Sequence, residues 1–247
     1  MADLIQVEDR RLTKVLSYPF FSEEKYLSTV EELKAMSVDS VVSTGSLELG
    51  GIHVLGKGCV GVVLAASANG RMVALKILRS DANRCDLLNE TRCLTIANGC
   101  GAGPKLVALA KRAFAMDLID GGYFVDWLKK PRTRGELEDS VKEILRQCFD
   151  LDSVGLDHGE LSDAKKHILV DARGSPVLID FETASTRRKA RNLVAILGYL
   201  FFKEPAASLI RGYLRPQATF LESLRNYKRA PSRDSYKWIL SVIGLED

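Results

Sequence analysis

The chain has 247 residues, with 35 Lys plus Arg against 32 Asp plus Glu and a formal net charge of +3. A hydrophobic fraction of 46% beside 27% charged residues excludes a disordered or low-complexity chain. So small a positive surplus does not by itself argue nucleic-acid binding. A chain of this length buries roughly 72% of its unfolded surface, enough for one large domain or two small lobes without staples.

In chain order, MADLIQVEDRR carries acids at Asp3 and Glu8 and never develops an apolar signal core. Residues 1–40 read as helical: SEEKYLSTVEELKAM opens on Ser22, has acids in its first turn, and spaces Tyr26, Val30, Leu33 and Met36 along one face. From Val41 to Leu78, short runs rich in Val, Ile and Leu and punctuated by glycine predict strands. Asn69-Gly70, between VLAASA and RMVALKI, predicts a tight hairpin because both residues tolerate positive φ. Residues 82–98 return to helical spacing, with Leu87, Leu88, Cys93 and Leu94 on an apolar stripe that GCGAGP ends. KLVALAKR and AFAMDLI are expected strands.

Beyond Gly121-Gly122 the character changes. YFVDWLKK and the stretch from Arg134 to Leu151 carry helical periodicity, HILVD and PVLID form a short strand pair, and the chain from Arg191 is mostly helical. The longest apolar run, LVAILGYLFF, is closed by Lys203 and Glu204 and is too short for a membrane span. Cys59, Cys85, Cys93, Cys100 and Cys148 are odd in number and contain no CxxC pair, which opposes a disulfide scaffold or a metal cluster. The spacing of Cys85, Cys93 and Cys100 suits packing on one helical face. A mainly β first half therefore joins a mainly α second half near residues 117–122, with a ligand site expected in the crease.

LGKGCVGVVLAA places Gly56, Gly58 and Gly61 with Val63 in β-like sequence on both sides. A dinucleotide fingerprint needs a helix opening on the glycines, and a Walker loop needs GKS or GKT. What remains is a glycine-rich β-turn whose bare backbone N–H groups approach phosphate oxygens, or an ordinary glycine hairpin. Lys76, in the apolar strand VALK, costs desolvation unless paired, and Glu90 in the following helix is its natural partner. So anchored, Lys76 reaches α and β phosphates. LDHGELSDAKKHILVDARGSPVLIDFETAS then places Asp180 after an apolar strand, where a carboxylate suits Mg2+, and Glu160 before the strand pair, where it orients or deprotonates a hydroxyl.

On these residues the chain resembles the protein kinase superfamily, particularly the compact atypical RIO-like serine/threonine kinases and their archaeal relatives, over roughly residues 50–200. The resemblance implies an α+β, two-lobed kinase-like fold. Residues 1–40 would be an N-terminal helical extension, 41–119 a β-rich N-lobe with one main helix, and 120–247 a reduced, mainly helical C-lobe. It implies that Gly56, Gly58, Gly61 and Val63 cover the phosphates and that Lys76 pairs with Glu90. Met116 stands at the gatekeeper position and Asp117 to Leu118 at the hinge, where adenine meets the backbone. Glu160 takes the general-base position in HGEL and Asp180 the principal metal position in IDFE, with ATP and Mg2+, or Mn2+ in its place, as cofactors.

The departures are Glu160, one methylene longer than the usual aspartate, and His167 at the metal-binding asparagine, with Asp163 as a substitute ligand. Lys165 or Lys166 are candidates for the γ phosphate. Glu182 replaces the glycine of the metal motif, which removes easy access to positive φ. No long activation segment separates this motif from TRRKARNLVAIL. Arg187, Arg188, Lys189 and Arg191 make a basic run that reads as a solvated or salt-bridged segment, or as a face for an acidic partner. The implied activity is phosphorylation of Ser or Thr in a protein substrate in the cytoplasm, with no membrane partner; ribosomal RNA or a tRNA-associated complex is a further partner. A small-molecule kinase and a nucleotide-binding pseudokinase scaffold are the alternatives.

Overall fold

The structure, a computed structural model, describes residues 3–245. The chain is mixed α+β and divides into two compact units: residues up to Arg92 together with Lys105–Leu118, and Cys93–Pro104 together with the chain from Ile119 onward.

The first unit is built on an antiparallel sheet. Its strands are β1 (Asp3–Gln6), β2 (Val38–Ser43), β5 (Gly56–Lys57), β6 (Gly61–Ala68), β7 (Arg71–Leu78), β8 (Leu106–Leu109) and β9 (Ala113–Asp117). A separate ribbon pairs β3 (Leu47–Leu49) with β4 (Ile52–Val54). The sheet order is β1-β2-β6-β7-β9-β8, with β5 also paired to β6. Asn69 and Gly70, at φ 50° and 72°, turn β6 into β7 and place Ala68 opposite Arg71, as the dipeptide predicts.

The start of the chain departs from the helical expectation for residues 1–40. Residues 3–6 are a strand, with Ile5 opposite Val41 on β2. Leu4 and Gln6 face out while Ile5 and Val7 are buried, the alternation of a strand, which pairing with β2 imposes. Two helices follow, α1 (Thr13–Leu16) and α2 (Glu23–Ala35). The Ser22 hydroxyl accepts the Lys25 N–H at the start of α2, and Tyr26, Val30 and Leu33 enter the core with Ile5, Leu64 and Leu75.

Helix α3 (Leu88–Gly99) begins six residues later than its periodicity predicts. The Asp86 carboxylate accepts the Leu88 N–H at 3.2 Å and stops the helix from extending backwards. Leu87 is therefore buried just outside the helix, whereas Leu88, expected on the apolar stripe, is exposed. The shared cysteine face also fails: Cys85 is exposed outside the helix, Cys93 is buried and Cys100 is intermediate.

The second unit surrounds a long amphipathic helix, α5 (Arg134–Ser153), reached through β10 (Gly121–Tyr123) and α4 (Phe124–Leu128). Thr133 and Glu136 exchange side-chain and backbone hydrogen bonds in a capping box at its start. Strands β11 (Ile168–Asp171) and β12 (Pro176–Leu178) join β10 in a three-stranded sheet. Helices α6 (Asn192–Phe202), α7 (Ala206–Arg211), α8 (Phe220–Arg229) and α9 (Arg233–Val242) complete it. The apolar run is α6, buried against α5 and α7. Among the described residues, no helix is long and apolar enough to cross a membrane.

One carboxylate ties α5, α6 and α8 together. Asp152 accepts hydrogen bonds from the Asn192 N–H and side-chain amide at 2.7 and 2.9 Å, from the Leu193 N–H at 3.2 Å and from the Tyr227 hydroxyl at 3.0 Å. It serves as the cap of a helix 40 residues away in the chain. Asp152→Ala orphans several buried donors and is expected to lower unfolding free energy by about 2–3 kcal/mol, read from the urea midpoint. A loss below about 0.5 kcal/mol would overturn this assignment.

Candidate functional site

The first unit brings the glycine hairpin and the lysine together. Gly56 lies opposite Val63 across β5 and β6, and Val63 lies opposite Lys76 across β6 and β7. The turn between β5 and β6 closes through the Gly58 N–H, which donates to the Gly61 carbonyl at 2.9 Å. Arg79 braces it, donating to the Gly58 carbonyl while paired with Asp81, each at 2.8 Å.

The glycines are not equivalent. A Cβ at Gly61 would stand 2.9 Å from Lys76 Cε and 3.0 Å from its Cγ, so this glycine makes room for the lysine stem. A Cβ at Gly56 would meet nothing within 4 Å, so no protein neighbour requires glycine there.

Lys76 Nζ donates to Glu90 Oε1 at 2.7 Å, and both residues are buried, at 5% and 3% exposure. The pair expected from the sequence is thus formed within one unit. Such a pair is weak evidence of stability, because desolvating two charges offsets most of their attraction.

Met116 is half-buried opposite Ala74. Asp117 is committed locally: its carboxylate pairs with Arg71 at 2.5 Å and its N–H donates to the Lys105 carbonyl at 2.9 Å. Leu118 is half-buried at the end of this segment.

In the second unit the loop before β11 gathers polar side chains. Asp157 and Ser185 exchange backbone hydrogen bonds, and the Thr183 hydroxyl donates to the His158 carbonyl at 3.0 Å. Asn192, held by Asp152, accepts the His158 N–H at 2.8 Å. Gly159 then turns at φ 92°, and a Cβ there would stand 2.7 Å from both Arg188 Nη2 and Thr183 Oγ1. The glycine of HGEL is therefore dictated by backbone conformation and crowding, and it sets the direction in which Glu160 leaves the loop.

Ile179 is held on both sides. Its N–H donates to the His167 carbonyl and its carbonyl accepts the His158 Nε2–H, each at 3.0 Å. A carbonyl can only accept, so His158 carries its proton on Nε2. Complete burial lowers its pKa to about 4, with the neighbouring His167 a smaller cause in the same direction. Acid should therefore weaken this unit: a histidine buried neutral gains a proton on unfolding below pH 6.5. The expected loss reaches about 2–3 kcal/mol as pH falls towards 4. Urea titrations across that range, compared with His158→Gln, should show the slope shrink in the variant; an unchanged slope would refute its origin in His158.

Asp180 follows this anchored residue with φ 67°, in the left-handed region. The sequence focused on lost freedom at Glu182, but the positive φ falls two residues earlier. A non-glycine residue there stores about 1 kcal/mol or more, and such strain gathers where a side chain must be aimed. Asp180, His167 and Glu160 come together, with one ligand atom from each lying within 4.8 Å of the others. The His167 Nε2 to Glu160 Oε2 distance is 4.0 Å. Asp163 is not in this group: the segment Leu161–Lys166 kinks at Asp163, whose exposed carboxylate lies 3.8 Å from Lys165 Nζ. Glu160 occupies the place in the cluster that Asp163 was expected to fill.

Tyr123, on β10, has its pKa raised by burial first and then by the charges of Asp180 and Asp126. Within the basic run, Arg188 is spent on Asp157 at 2.7 Å and on the Thr183 carbonyl, a local structural role. Lys189 and Arg191 are exposed. A separate cleft of about 760 Å³ is lined by Trp127, Lys130, Arg132, Asp139 and Asp171, and includes no member of the cluster.

Sequence reasoning did not single out Asp152, Asn192 or Gly159 as parts of the site. Their signals were a polar residue opening the apolar run at Asn192 and a glycine flanked by His158 and Glu160. Comparison with protein-family models found no match, and comparison with curated proteins likewise found none.

Proposed function

We propose that the chain is an ATP-dependent phosphotransferase acting on a hydroxyl, most simply a serine or threonine of a protein. The observation that carries this reading is the buried Lys76–Glu90 pair, whose lysine stem packs where Gly61 lacks a Cβ. An ammonium fixed by a carboxylate next to open backbone is suited to hold phosphate oxygens, because the pair orients the charge before the ligand arrives. The fold that accompanies this reading is two-lobed and kinase-like, and the location is cytoplasmic.

Glu160 and Asp180 supply the other requirements. Glu160 is partly exposed, so its carboxylate can meet an incoming hydroxyl and accept its proton as the oxygen attacks the γ phosphorus. The bond from that phosphorus to the bridging oxygen breaks, and ADP leaves. The mixed carboxylate and imidazole donors of the cluster fit a divalent cation, which when bound neutralises charge on the phosphates. Lys165 and Lys166 lie in the same loop and offer further positive charge.

The test is incubation of the purified chain with γ-labelled ATP and Mg2+ or Mn2+, with itself, casein and free serine as acceptors. The expected result is label transfer that Lys76→Met abolishes. ATP binding without transfer to any acceptor or to water would replace this reading with a nucleotide-binding scaffold, for which the exposed Lys189 and Arg191 offer an acidic partner a docking charge. No ATP binding at all would overturn both.

A further inference from the structure

We infer that Glu160, His167 and Asp180 form a site selective for a first-row transition cation, Mn2+ or Co2+ over Mg2+. The inference concerns the cluster invoked for phosphoryl transfer but requires no nucleotide.

The donor set is the first reason. Mg2+ takes hard oxygen ligands and keeps much of its water, whereas an imidazole nitrogen favours Mn2+, Co2+ and Zn2+ increasingly along the series. His167 brings that nitrogen between two carboxylates, on a ring whose side chain is only 14% exposed. Two ligands on opposite sides of an ion, at bonds of about 2.1 Å, stand about 4.2 Å apart. Atoms within 4.8 Å of one another thus need only sub-ångström shifts of three side chains to close on a cation.

The second reason lies behind the ligands. A metal-bound histidine needs an acceptor for the proton on its other ring nitrogen. His167 Nδ1 is buried and has no hydrogen-bond partner. The ring against it is His158, edge-on with centroids 5.5 Å apart, and its Nδ1 is likewise buried without a partner. The Ile179 carbonyl fixes the His158 proton on Nε2, which leaves a lone pair on Nδ1. Binding of a metal through His167 Nε2 puts the His167 proton on Nδ1, on a ring packed edge-on against the one that carries the lone pair. Ligation thus makes one of two buried, unmet ring nitrogens a donor and leaves the other an acceptor.

The strained backbone of Asp180 and the required positive φ of Gly159 complete the set, since each fixes the departure of one carboxylate ligand from the chain. Glu160 and His167 bracket a single short loop, and Asp180 follows the strand paired with the next one. The ligands therefore come from adjoining segments of one sheet and its entry loop.

The experiment uses the tag-free full chain without nucleotide, stripped of metal. Co2+ is titrated by its visible d–d absorption and Mn2+ by the loss of its free-ion electron paramagnetic resonance signal. Each is then competed with Mg2+. Mn2+ and Co2+ are expected to bind one per chain and at least about tenfold more tightly than Mg2+. His167→Asn, which substitutes an oxygen donor, should erase that preference while leaving Mg2+ affinity within about threefold. Glu160→Gln should weaken all three cations, and thermal unfolding of both variants establishes that they fold.

Equal affinity for Mg2+ and Mn2+, or a Co2+ spectrum unchanged by His167→Asn, would overturn the inference. A Co2+ spectrum with intense thiolate-to-metal absorption would assign binding to Cys59 or Cys85 instead. Selective metal binding without any phosphoryl transfer would leave this inference standing and remove the functional reading above.

Discussion

Asp180→Asn is expected, on the proposed phosphotransferase reading, to lower phosphoryl transfer about a hundred- to a thousandfold while leaving the second unit as stable as before. The rate effect follows from removing a formal charge that is aimed before the reaction begins, for which losses of this size are typical. The stability effect follows from the backbone. At φ 67° most side chains crowd the following carbonyl, but asparagine tolerates this region as well as aspartate does. Asp180→Gly sharpens the contrast, since it removes the strain together with the carboxylate and should add about 1 kcal/mol of stability with no transfer. Single-turnover transfer of labelled phosphate and thermal unfolding of the three proteins measure both quantities. Transfer by Asp180→Asn within tenfold of the parent chain would remove Asp180 from the chemistry.

The second large effect is expected at the buried ion pair. Glu90→Ala leaves the Lys76 ammonium in a core position with 5% exposure, and should destabilise the first unit by about 3–5 kcal/mol. Lys76→Met in the same chain removes that ammonium, so the double variant Lys76→Met/Glu90→Ala should recover much of that loss. It should nevertheless be inert towards ATP. Urea unfolding of the four proteins closes the double-mutant cycle, and isothermal titration with ATP reads binding. A double variant that binds ATP like the parent would show the pair to be structural only. A Glu90→Ala protein of full stability would show that water reaches the ammonium.

Where the deciding interaction is local, these features could be read in advance. Asn69-Gly70 gave the hairpin because two consecutive positive φ values are a property of those residues themselves. Lys76 demanded a partner because an ammonium in an apolar strand is costly to desolvate uncompensated, and Glu90 was the carboxylate of the following helix. The N-terminal strand was misread because four residues carry too little periodicity to outweigh a strong helix nearby; pairing with β2 decided it. The start of α3 was misplaced because a single side-chain cap at Asp86 overrides the periodic pattern.

The loop before β11 divides in the same way. The sequence by itself determined that Glu160, His167 and Asp180 belong to segments able to carry polar chemistry, and that a lysine and a carboxylate would pair in the β-rich half. Only the tertiary structure decided that Glu160 rather than Asp163 joins the cluster, because a kink in Leu161–Lys166 turns one acid towards the lysine side chain. Only the tertiary structure connected Asp152, through Asn192, to the backbone of His158. Residue type sets what a side chain can do and short-range spacing sets its local geometry. Which of several eligible carboxylates meets a given imidazole depends on how the loop between them kinks, and that loop is anchored at His158 by contacts tens of residues apart that exist only once the chain has folded.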